Sequence, residues 1–237
     1  MPNKSPEKFR TFEAVFDRFT MNNLFKLSKY FEEETLSPIS IGKEANVFSA
    51  KSHLEDRDKI IIKIHRLETS DFNNMYYYIN SDPRFTGLKK RRREIIFAWT
   101  SREFRNLMAA REAQVRCPMP IAFLKNIILM EHVGTGEAAP KLKDKTPAKP
   151  KEFLEKTIEN IGKYYNKGLV HGDLSKFNIL NLKETPVLID FSQAVPLKSH
   201  NSEELLIRDV KNVLDYFNRL GVKKDLQKAV NEIKNYK

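Results

Sequence analysis

The apolar residues of this chain recur with two spacings, one typical of helices and one typical of strands. Spacings of three and four predict helices over residues 9–31, 94–111, 151–166, 203–220 and 222–236. Short apolar runs bounded by charged residues or turns predict strands at residues 59–65, 126–130, 177–182 and 186–189. Because helices and strands both occur and no internal repeat is present, we expect an α+β fold.

The order of these elements predicts three consecutive segments. An N-terminal helical segment covers residues 1–35, a small strand-rich lobe covers 36–133, and a large helical lobe covers 134–237. Residues 68–87 are expected to be irregular. Residues 135–151, rich in Pro and Lys, are expected to form a loop that enters the large lobe.

Composition limits where such a protein works. Hydrophobic residues make up 41% of the 237 residues, enough for a real core, and no apolar run exceeds five residues, so we expect no membrane span. The first ten residues are polar and charged, unlike a secretory signal. The single cysteine, Cys117, cannot form an internal disulfide, so a reducing cytoplasm is the expected location.

The candidate chemistry is concentrated in two motifs, His-Gly-Asp-Leu-Ser-Lys-Phe-Asn at 171–178 and Leu-Ile-Asp-Phe-Ser at 188–192. In the protein-kinase pattern, a loop Asp accepts the proton of the attacking hydroxyl, an Asn five residues later binds one magnesium ion, and a later Asp binds the metal that bridges the phosphates. Asp173, Asn178 and Asp190 have this spacing, with room for one hairpin between the metal ligands. The motifs predict phosphoryl transfer from ATP with Mg²⁺, or Mn²⁺ in its place. The alternative is a plain turn joining a helix to a strand.

Two further charged residues occupy apolar positions. Lys63 lies inside a predicted strand, where an ammonium group is costly unless it meets anions such as phosphates. Glu103 lies between Trp99 and Leu107 on one face of a predicted helix. We predict that Lys63 binds ATP phosphates and pairs with Glu103. The alternatives are a lysine on an exposed strand edge and a glutamate paired with a nearby Arg at the surface.

The expected glycine-rich phosphate loop is reduced to one glycine. Gly-x-Gly-x-x-Gly is absent before Lys63, and its place is taken by Ser-Ile-Gly-Lys-Glu-Ala-Asn-Val-Phe at 40–48. Backbone amides around Gly42 and the charge of Lys43 would suit a phosphate. An ordinary hairpin turn explains the segment equally well.

Taken together, the motifs resemble the RIO family of atypical kinases, and in particular its RIO-one subfamily. The resemblance covers about residues 24 to 220 and rests on the 40–48 loop, Ile-Lys-Ile at 62–64, Glu-Phe-Arg-Asn-Leu at 103–107, Leu-Met-Glu-His-Val-Gly at 129–134, and the two motifs above, the second followed by Gln193. Two positions depart from many members, which have Ala in place of Gly172 and Val in place of Phe191. Neither departure changes a charged group.

The resemblance implies a two-lobed protein-kinase-like fold with a truncated large lobe that lacks the peptide-binding helices. It assigns phosphate binding to Lys63, the catalytic acceptor to Asp173, and magnesium binding to Asn178 and Asp190. For adenine, it implies that Met130 lines the pocket and that the backbones of Glu131 and Val133 read the base edge. The activity implied is that of a serine/threonine kinase or ATPase in maturation of the small ribosomal subunit.

The phosphate acceptor is open at this level. Only 47 residues follow Asp190, with no Ala-Pro-Glu anchor, which argues against a peptide platform of the ordinary kinase type. The family resemblance implies instead that Asp190 becomes a transient aspartyl phosphate, whereas the alternative confines it to magnesium binding. Two other functions remain: a small-molecule kinase of the aminoglycoside-phosphotransferase type, and an RNA-binding assembly factor that holds ATP as a structural ligand.

Charge favours a nucleic-acid partner. The formal net charge is +11, and residues 89–93 form a run of five cations, Lys-Lys-Arg-Arg-Arg. Such a block attracts phosphates, which suits a pre-ribosomal small subunit or its RNA. The alternative is a solvated loop with no dedicated partner. The sequence does not indicate an oligomeric state.

Overall fold

The computed structural model of the protein describes residues 16–68, 71–80, 82–85 and 87–236, without the side chains of Asn74 and Pro83. In chain order the helices and strands are α1 (Arg18–Leu27), β1 (Ser37–Ile41), β2 (Ala45–Lys51), β3 (Lys59–His65), α2 (Phe72–Asn80), α3 (Arg92–Glu112), β4 (Pro120–Leu124), β5 (Ile127–Glu131), β6 (Gly134–Thr135), β7 (Glu137–Ala138), α4 (Pro150–Asn166), β8 (Leu169–Val170), β9 (Ile179–Leu182), β10 (Thr185–Leu188), β11 (Val195–Pro196), α5 (Ser202–Asn218) and α6 (Leu226–Lys234).

The described residues cluster into two compact units. Unit 1 comprises the described residues within Met1–Ile79, Gly87–Ser101 and Pro120–His132. Unit 2 comprises the described residues within Asn80–Thr86, Arg102–Met119 and Val133–Lys237. The long helix α3 therefore contributes its first part to unit 1 and its second part to unit 2. The predicted segment limits at residues 35 and 133 stay a prediction.

Unit 1 is built on an antiparallel sheet with strand order β1-β2-β3-β5-β4. Alternation along β3 directs Ile60, Ile62 and Ile64 into the core, where Leu24 of α1 and Phe48 of β2 also lie. The same alternation places Lys63 on the opposite face, paired in register with Val47 and Ile128. Lys63 therefore lies on the face of the sheet that points away from the aliphatic core.

The helical prediction for residues 9–31 is met by a shorter helix in the described part. Asp17 caps α1 by accepting from the amide of Thr20 at 3.0 Å, and a 3₁₀ turn over Ser28–Tyr30 follows the helix. Residues 9–15 of that prediction lie outside the described residues.

The expectation of an irregular segment at 68–87 is wrong for its middle part, which forms α2. Met75 and Ile79 are four residues apart and buried, and the ring of Tyr78 meets that of Trp99 edge-on at 5.9 Å. Two apolar residues in a polar, tyrosine-rich run give little periodic signal, so burial within unit 1 rather than propensity supports this helix.

Besides the second part of α3, unit 2 contains the helices α4, α5 and α6, which pack together, and three two-stranded sheets, β6–β7, β8–β11 and β9–β10. Pro150 begins α4, and Asp225 caps α6 by accepting from the amide of Lys228 at 2.8 Å. The predicted hairpin is present as β9 and β10, joined by Lys183 and Glu184, both with positive φ. This hairpin separates the two chemistry-bearing motifs and fixes the distance between them along the chain.

No helix in the described ranges has the length and apolar character needed to cross a membrane.

Candidate active site

The residues that precede Asp173 in its loop, His171 and Gly172, make close contacts with the backbone around Asp190. His171 is buried, and its Nε2 donates to the carbonyl of Ile189 at 3.1 Å, which assigns the proton to Nε2 because a carbonyl can only accept. Gly172 has φ of +79°, and a Cβ there would lie 2.7 Å from the carbonyl oxygen of Gln193. Glycine therefore fits this position. An alanine here would have a strained backbone conformation and would force residue 193 to shift.

Asp209, on α5, is the main anchor of this loop. Its two carboxylate oxygens accept from the amides of Gly172 at 2.7 Å and Leu174 at 2.9 Å, on either side of Asp173. Arg208 also donates to the carbonyl of Gly172. A bidentate carboxylate that holds both neighbours of Asp173 sets the backbone from which the candidate base projects.

Asp173, Asn178 and Asp190 are brought together in unit 2. The side-chain nitrogen of Asn178 donates to the carbonyl of Asp173 at 2.8 Å and to its Oδ2 at 3.0 Å. The backbone of Asn178 accepts from the amide of Ile189 at 3.0 Å, which ties it to the residue before Asp190. All three side chains are half-buried. A short hairpin therefore assembles the predicted carboxylates and amide.

The oxygens of Asn178 and Asp190 suit a magnesium ion. Because the nitrogen of Asn178 donates both hydrogen bonds to Asp173, its side-chain oxygen is the atom able to bind a cation. Asp190 adds a carboxylate, and Mg²⁺ commonly uses one or two protein oxygens together with substrate phosphates and waters. The residues therefore fit Mg²⁺. Within the described residues no group of three or more His, Cys, Asp or Glu forms a metal cluster.

Asp190 has an unusual backbone conformation for a residue with a side chain. Its φ of 63° and ψ of 71° are left-handed, and a 3₁₀ turn over Phe191–Gln193 follows at once. Ser192 Oγ donates to Asp190 Oδ1 at 2.8 Å. Non-glycine residues persist in this region only where the surrounding structure determines it, which is common at functional sites.

The remaining predicted residues have separate places. In unit 1, Lys63 is 9% exposed, Met130 is buried in β5, and Glu131 ends that strand half-buried. Gly42 closes the β1–β2 hairpin by donating to the carbonyl of Ala45 at 3.1 Å, and Lys43 is exposed in the turn. The segment is thus a hairpin turn, and phosphate contact by its amides stays a prediction.

In unit 2, Glu103 is 1% exposed on α3, and Val133 is buried with its carbonyl accepting from Ala139 at 2.8 Å. The burial of Glu103 agrees with its predicted helix face, while its pairing with Lys63 and the adenine contacts of Val133 stay predictions. Sequence reasoning missed Asp209, although it interrupts the apolar stripe of α5 between Leu205 and Val213, the same signal that selected Glu103.

The burial of Asp209 predicts a measurable dependence of stability on pH. Burial is the largest influence and raises the pKa of this carboxyl to about 7 from its ordinary 3.8, against the lowering effect of its two amide donors. The folded state therefore binds a proton that the unfolded state has lost, so the stability that this group contributes is full below about pH 4 and is lost as pH rises through about 7.

Asp209→Asn removes this titration. We expect the difference in free energy of unfolding between wild type and this variant to shrink by up to about 1.4 kcal/mol per pH unit between about pH 4 and 7. Urea unfolding at several pH values measures the difference directly. A difference that is constant with pH would mean that Asp209 is ionised throughout this range.

Comparison with known proteins identifies the family of this chain. The RIO domain family model matches residues 46–230. A RIO-type serine/threonine-protein kinase Rio1 from Methanocaldococcus jannaschii is 40% identical over 231 residues, covering 94% of this chain and 78% of the relative. The Rio1 of Haloferax volcanii is 38% identical over 224 residues, covering 94% and 77%.

Solved structures give the same result for the fold. A crystal structure of the Rio2 kinase from Chaetomium thermophilum matches with a TM-score of 0.65 at 22% identity, covering 91% of this chain and 67% of that one. A second, described as the ADP/Mg²⁺-phosphoaspartate complex of the same kinase, matches with a TM-score of 0.64 and covers 91% and 65%. The predicted α+β, protein-kinase-like fold is confirmed.

The kinase-like fold and these relatives together show that the protein is a serine/threonine kinase of the atypical class. The chain belongs to the RIO family and is Rio1-like within it.

Proposed function

We propose that the protein transfers the γ-phosphate of ATP with Mg²⁺ bound by Asn178 and Asp190, with Asp173 as the base that accepts the proton of the attacking hydroxyl. The observation that carries the proposal is the hydrogen-bonded cluster of Asp173 and Asn178, joined through Ile189 to Asp190. Mg²⁺ supplies charge neutralisation at the phosphates. Membership of the RIO family favours this function over an aminoglycoside-type kinase.

Residues around the cluster position its side chains, and residues elsewhere in the chain are proposed to bind ATP. Asp209 accepts hydrogen bonds from the amides on either side of Asp173. These bonds fix the loop backbone and thereby position the base. Asn178 accepts no proton itself, but its bond to Asp173 Oδ2 directs the carboxylate. We assign ATP phosphate binding to Lys63, with Glu103 as its partner, and the adenine edge to the backbones of Glu131 and Val133 beside Met130.

For the fate of the phosphate we propose an aspartyl phosphate at Asp190. A carboxylate oxygen of Asp190 attacks the γ-phosphorus, the bond to the β–γ bridging oxygen breaks, and ADP leaves with that electron pair. Water, which gives its proton to Asp173, then attacks the acyl phosphate, and this step releases inorganic phosphate and restores the Asp190 carboxylate. The Rio2 structure described as a phosphoaspartate complex supports the chemistry for that relative.

The acyl phosphate predicts a specific chemical sensitivity. Enzyme quenched after one turnover with ATP labelled at the γ-phosphate should carry label that hydroxylamine removes, because hydroxylamine cleaves acyl phosphates. Asp190→Asn should carry none. Asp144→Asn, which changes an exposed carboxylate in unit 2, is the matched control and should label as wild type does. Label that survives hydroxylamine, or that lies on Ser or Thr, would instead establish ordinary autophosphorylation.

We further propose that the protein acts on the pre-ribosomal small subunit or its RNA, in the cytoplasm. The basic run at 89–93 is the candidate contact, and all five side chains are exposed. Lys90 lies over the rings of Phe72 and Tyr76 at 5.9 and 4.9 Å, Arg92 over Phe72 at 5.6 Å, and Arg93 over Phe19 at 5.3 Å. Cations held over rings favour a built surface over a freely solvated loop.

Phosphate contact by this run predicts a change in the salt dependence of RNA binding. Replacing Lys89 and Arg91 by Gln spares the cations held over rings and should flatten the slope of log affinity against log salt by about 1.4 for single-stranded RNA, since each phosphate contact contributes about 0.7. Titrations at several salt concentrations measure this slope. The control pair is Lys223→Gln with Lys228→Gln, two exposed lysines of unit 2. Equal slopes in both pairs would favour the solvated loop.

A further inference from the structure

A buried polar cluster in unit 2 contacts the backbone that follows Asp190. Arg102, on α3, is fully buried, and its guanidinium donates to one carboxylate and two backbone carbonyls. Its Nε donates to Asp82 Oδ2 at 3.1 Å, Nη1 to the carbonyl of Ser192 at 3.1 Å, and Nη2 to the carbonyl of Ala194 at 2.9 Å. One side chain thus joins a carboxylate from the β3–α3 connection to the turn after Asp190.

Asn106 lies one helical turn further along α3 and makes two more hydrogen bonds to the same turn. Its Nδ2 donates to the carbonyl of Phe191 at 2.9 Å and to that of Ala194 at 3.2 Å. Its Oδ1 accepts from Arg84 Nη1 at 3.0 Å, which fixes the orientation of the amide. Between them, Arg102 and Asn106 bind the carbonyls of Phe191, Ser192 and Ala194.

Asp82 holds the two arginines together. Arg84 reaches it through Nε at 2.9 Å and Nη2 at 2.6 Å, and Arg102 reaches the same carboxylate. Burial favours the neutral acid, but the hydrogen bonds from Arg84 and the charge of Arg102 outweigh it and hold the pKa of Asp82 below its usual range. A buried ionic group of this kind adds little net stability compared with apolar packing, so its use is better sought in the geometry that it imposes.

The buried cluster determines the backbone conformation of Asp190. Its left-handed backbone is unfavourable for a residue with a side chain and needs support from its surroundings. The turn that follows bears Ser192, whose hydroxyl donates to Asp190 Oδ1. Because Arg102 and Asn106 hold the carbonyls of this turn, they fix both the backbone of Asp190 and the hydroxyl that orients its carboxylate.

We propose that Arg102 and Asn106 are positioning residues for Asp190, and that Asp82 and Arg84 hold them in place. The proposal rests on the proposed function, in which Asp190 binds Mg²⁺ and receives the phosphate. It extends the site to the segment between β3 and α3, since Asp82 and Arg84 belong to that connection. Without the cluster, we expect the turn over residues 191–194 to open and Asp190 to leave its magnesium-binding geometry.

Two variants and two readouts test the proposal. Arg102→Met keeps the length of the side chain and removes the hydrogen bonds to Asp82, Ser192 and Ala194. Asn106→Asp keeps the size of the side chain and removes the two bonds to the turn. Arg111→Met, on the same helix with a bond to the carbonyl of Cys117 and none to the turn among the described residues, is the matched control. The first readout is hydrogen–deuterium exchange of the peptide over residues 188–197 without nucleotide or metal, and the second is the Mg²⁺ concentration for half-maximal ATP turnover.

For the two variants we expect faster exchange in that peptide and a Mg²⁺ midpoint about 10- to 100-fold higher, as is typical when the outer support of a metal ligand is lost. The Michaelis constant for ATP at saturating Mg²⁺ should change far less. Arg111→Met should match wild type in both readouts. Should Arg102→Met fail to fold, Asn106→Asp carries the test.

Wild-type exchange and an unchanged midpoint in a folded variant would overturn the positioning role. A wild-type protein without ATP turnover would instead count against the proposed function, while the exchange readout would still decide whether the cluster holds the turn.

Discussion

Asp173→Asn should lower ATP turnover by roughly 100- to 10,000-fold, the usual cost of losing a positioned base, while ATP affinity stays nearly unchanged. The substitution removes the group that accepts the proton and keeps the shape of the side chain. Asn178 donates to the backbone carbonyl of Asp173 as well as to its carboxylate, so an asparagine at 173 keeps the first bond through its backbone carbonyl and can keep the second through its side-chain oxygen. The loop should therefore retain its structure in the variant.

The measurement is steady-state turnover together with ATP affinity from equilibrium binding. Asp144→Asn is again the matched control, since it changes an exposed carboxylate of unit 2 that pairs with Lys143. A thermal midpoint close to wild type would show that the loss is chemical rather than structural. Turnover near the wild-type rate would remove Asp173 from the mechanism, and a loss confined to ATP affinity would assign it to binding.

The sequence predicted this part of the site because its geometry is local. Asp173 and Asn178 lie in one loop, and a hairpin with a two-residue turn returns the chain to Asp190. Residue spacing over such a short stretch nearly determines which side chains meet. Strand β3 was predicted with its observed bounds for a similar reason, since its apolar run is limited by charged residues on both sides.

The supporting residues could not be predicted in this way. Arg102 binds carbonyls 90 and 92 residues away, and Asp209 binds amides 35 and 37 residues away. Periodicity identifies the face of a helix that is buried but not the backbone that it meets. Backbone carbonyls and amides also leave no trace in side-chain patterns, so a residue whose partners are all backbone atoms resembles any other buried polar residue in a sequence.

Lys63 and Glu103 should behave as one functional unit in ATP turnover. Each is a charged residue buried in its own unit, at 9% and 1% exposure, and burial of this kind is costly without an opposite charge. In the protein-kinase pattern, a glutamate of a helix orients the lysine toward the ATP phosphates. Losing an electrostatic contact to the transferring group costs roughly 100- to 1,000-fold in rate, so Lys63→Ala should lose about that much.

If Glu103 acts only through Lys63, then Glu103→Ala in the Lys63→Ala background should cost little more, and the two losses should be strongly non-additive. A double-mutant cycle in kcat/KM measures the coupling. Glu112→Ala provides the matched cycle, because Glu112 is an exposed carboxylate of the same helix that pairs with Lys167, and its effect should simply add. Additive losses for Lys63 and Glu103 would mean that another carboxylate orients the lysine and that Glu103 is buried for a different reason.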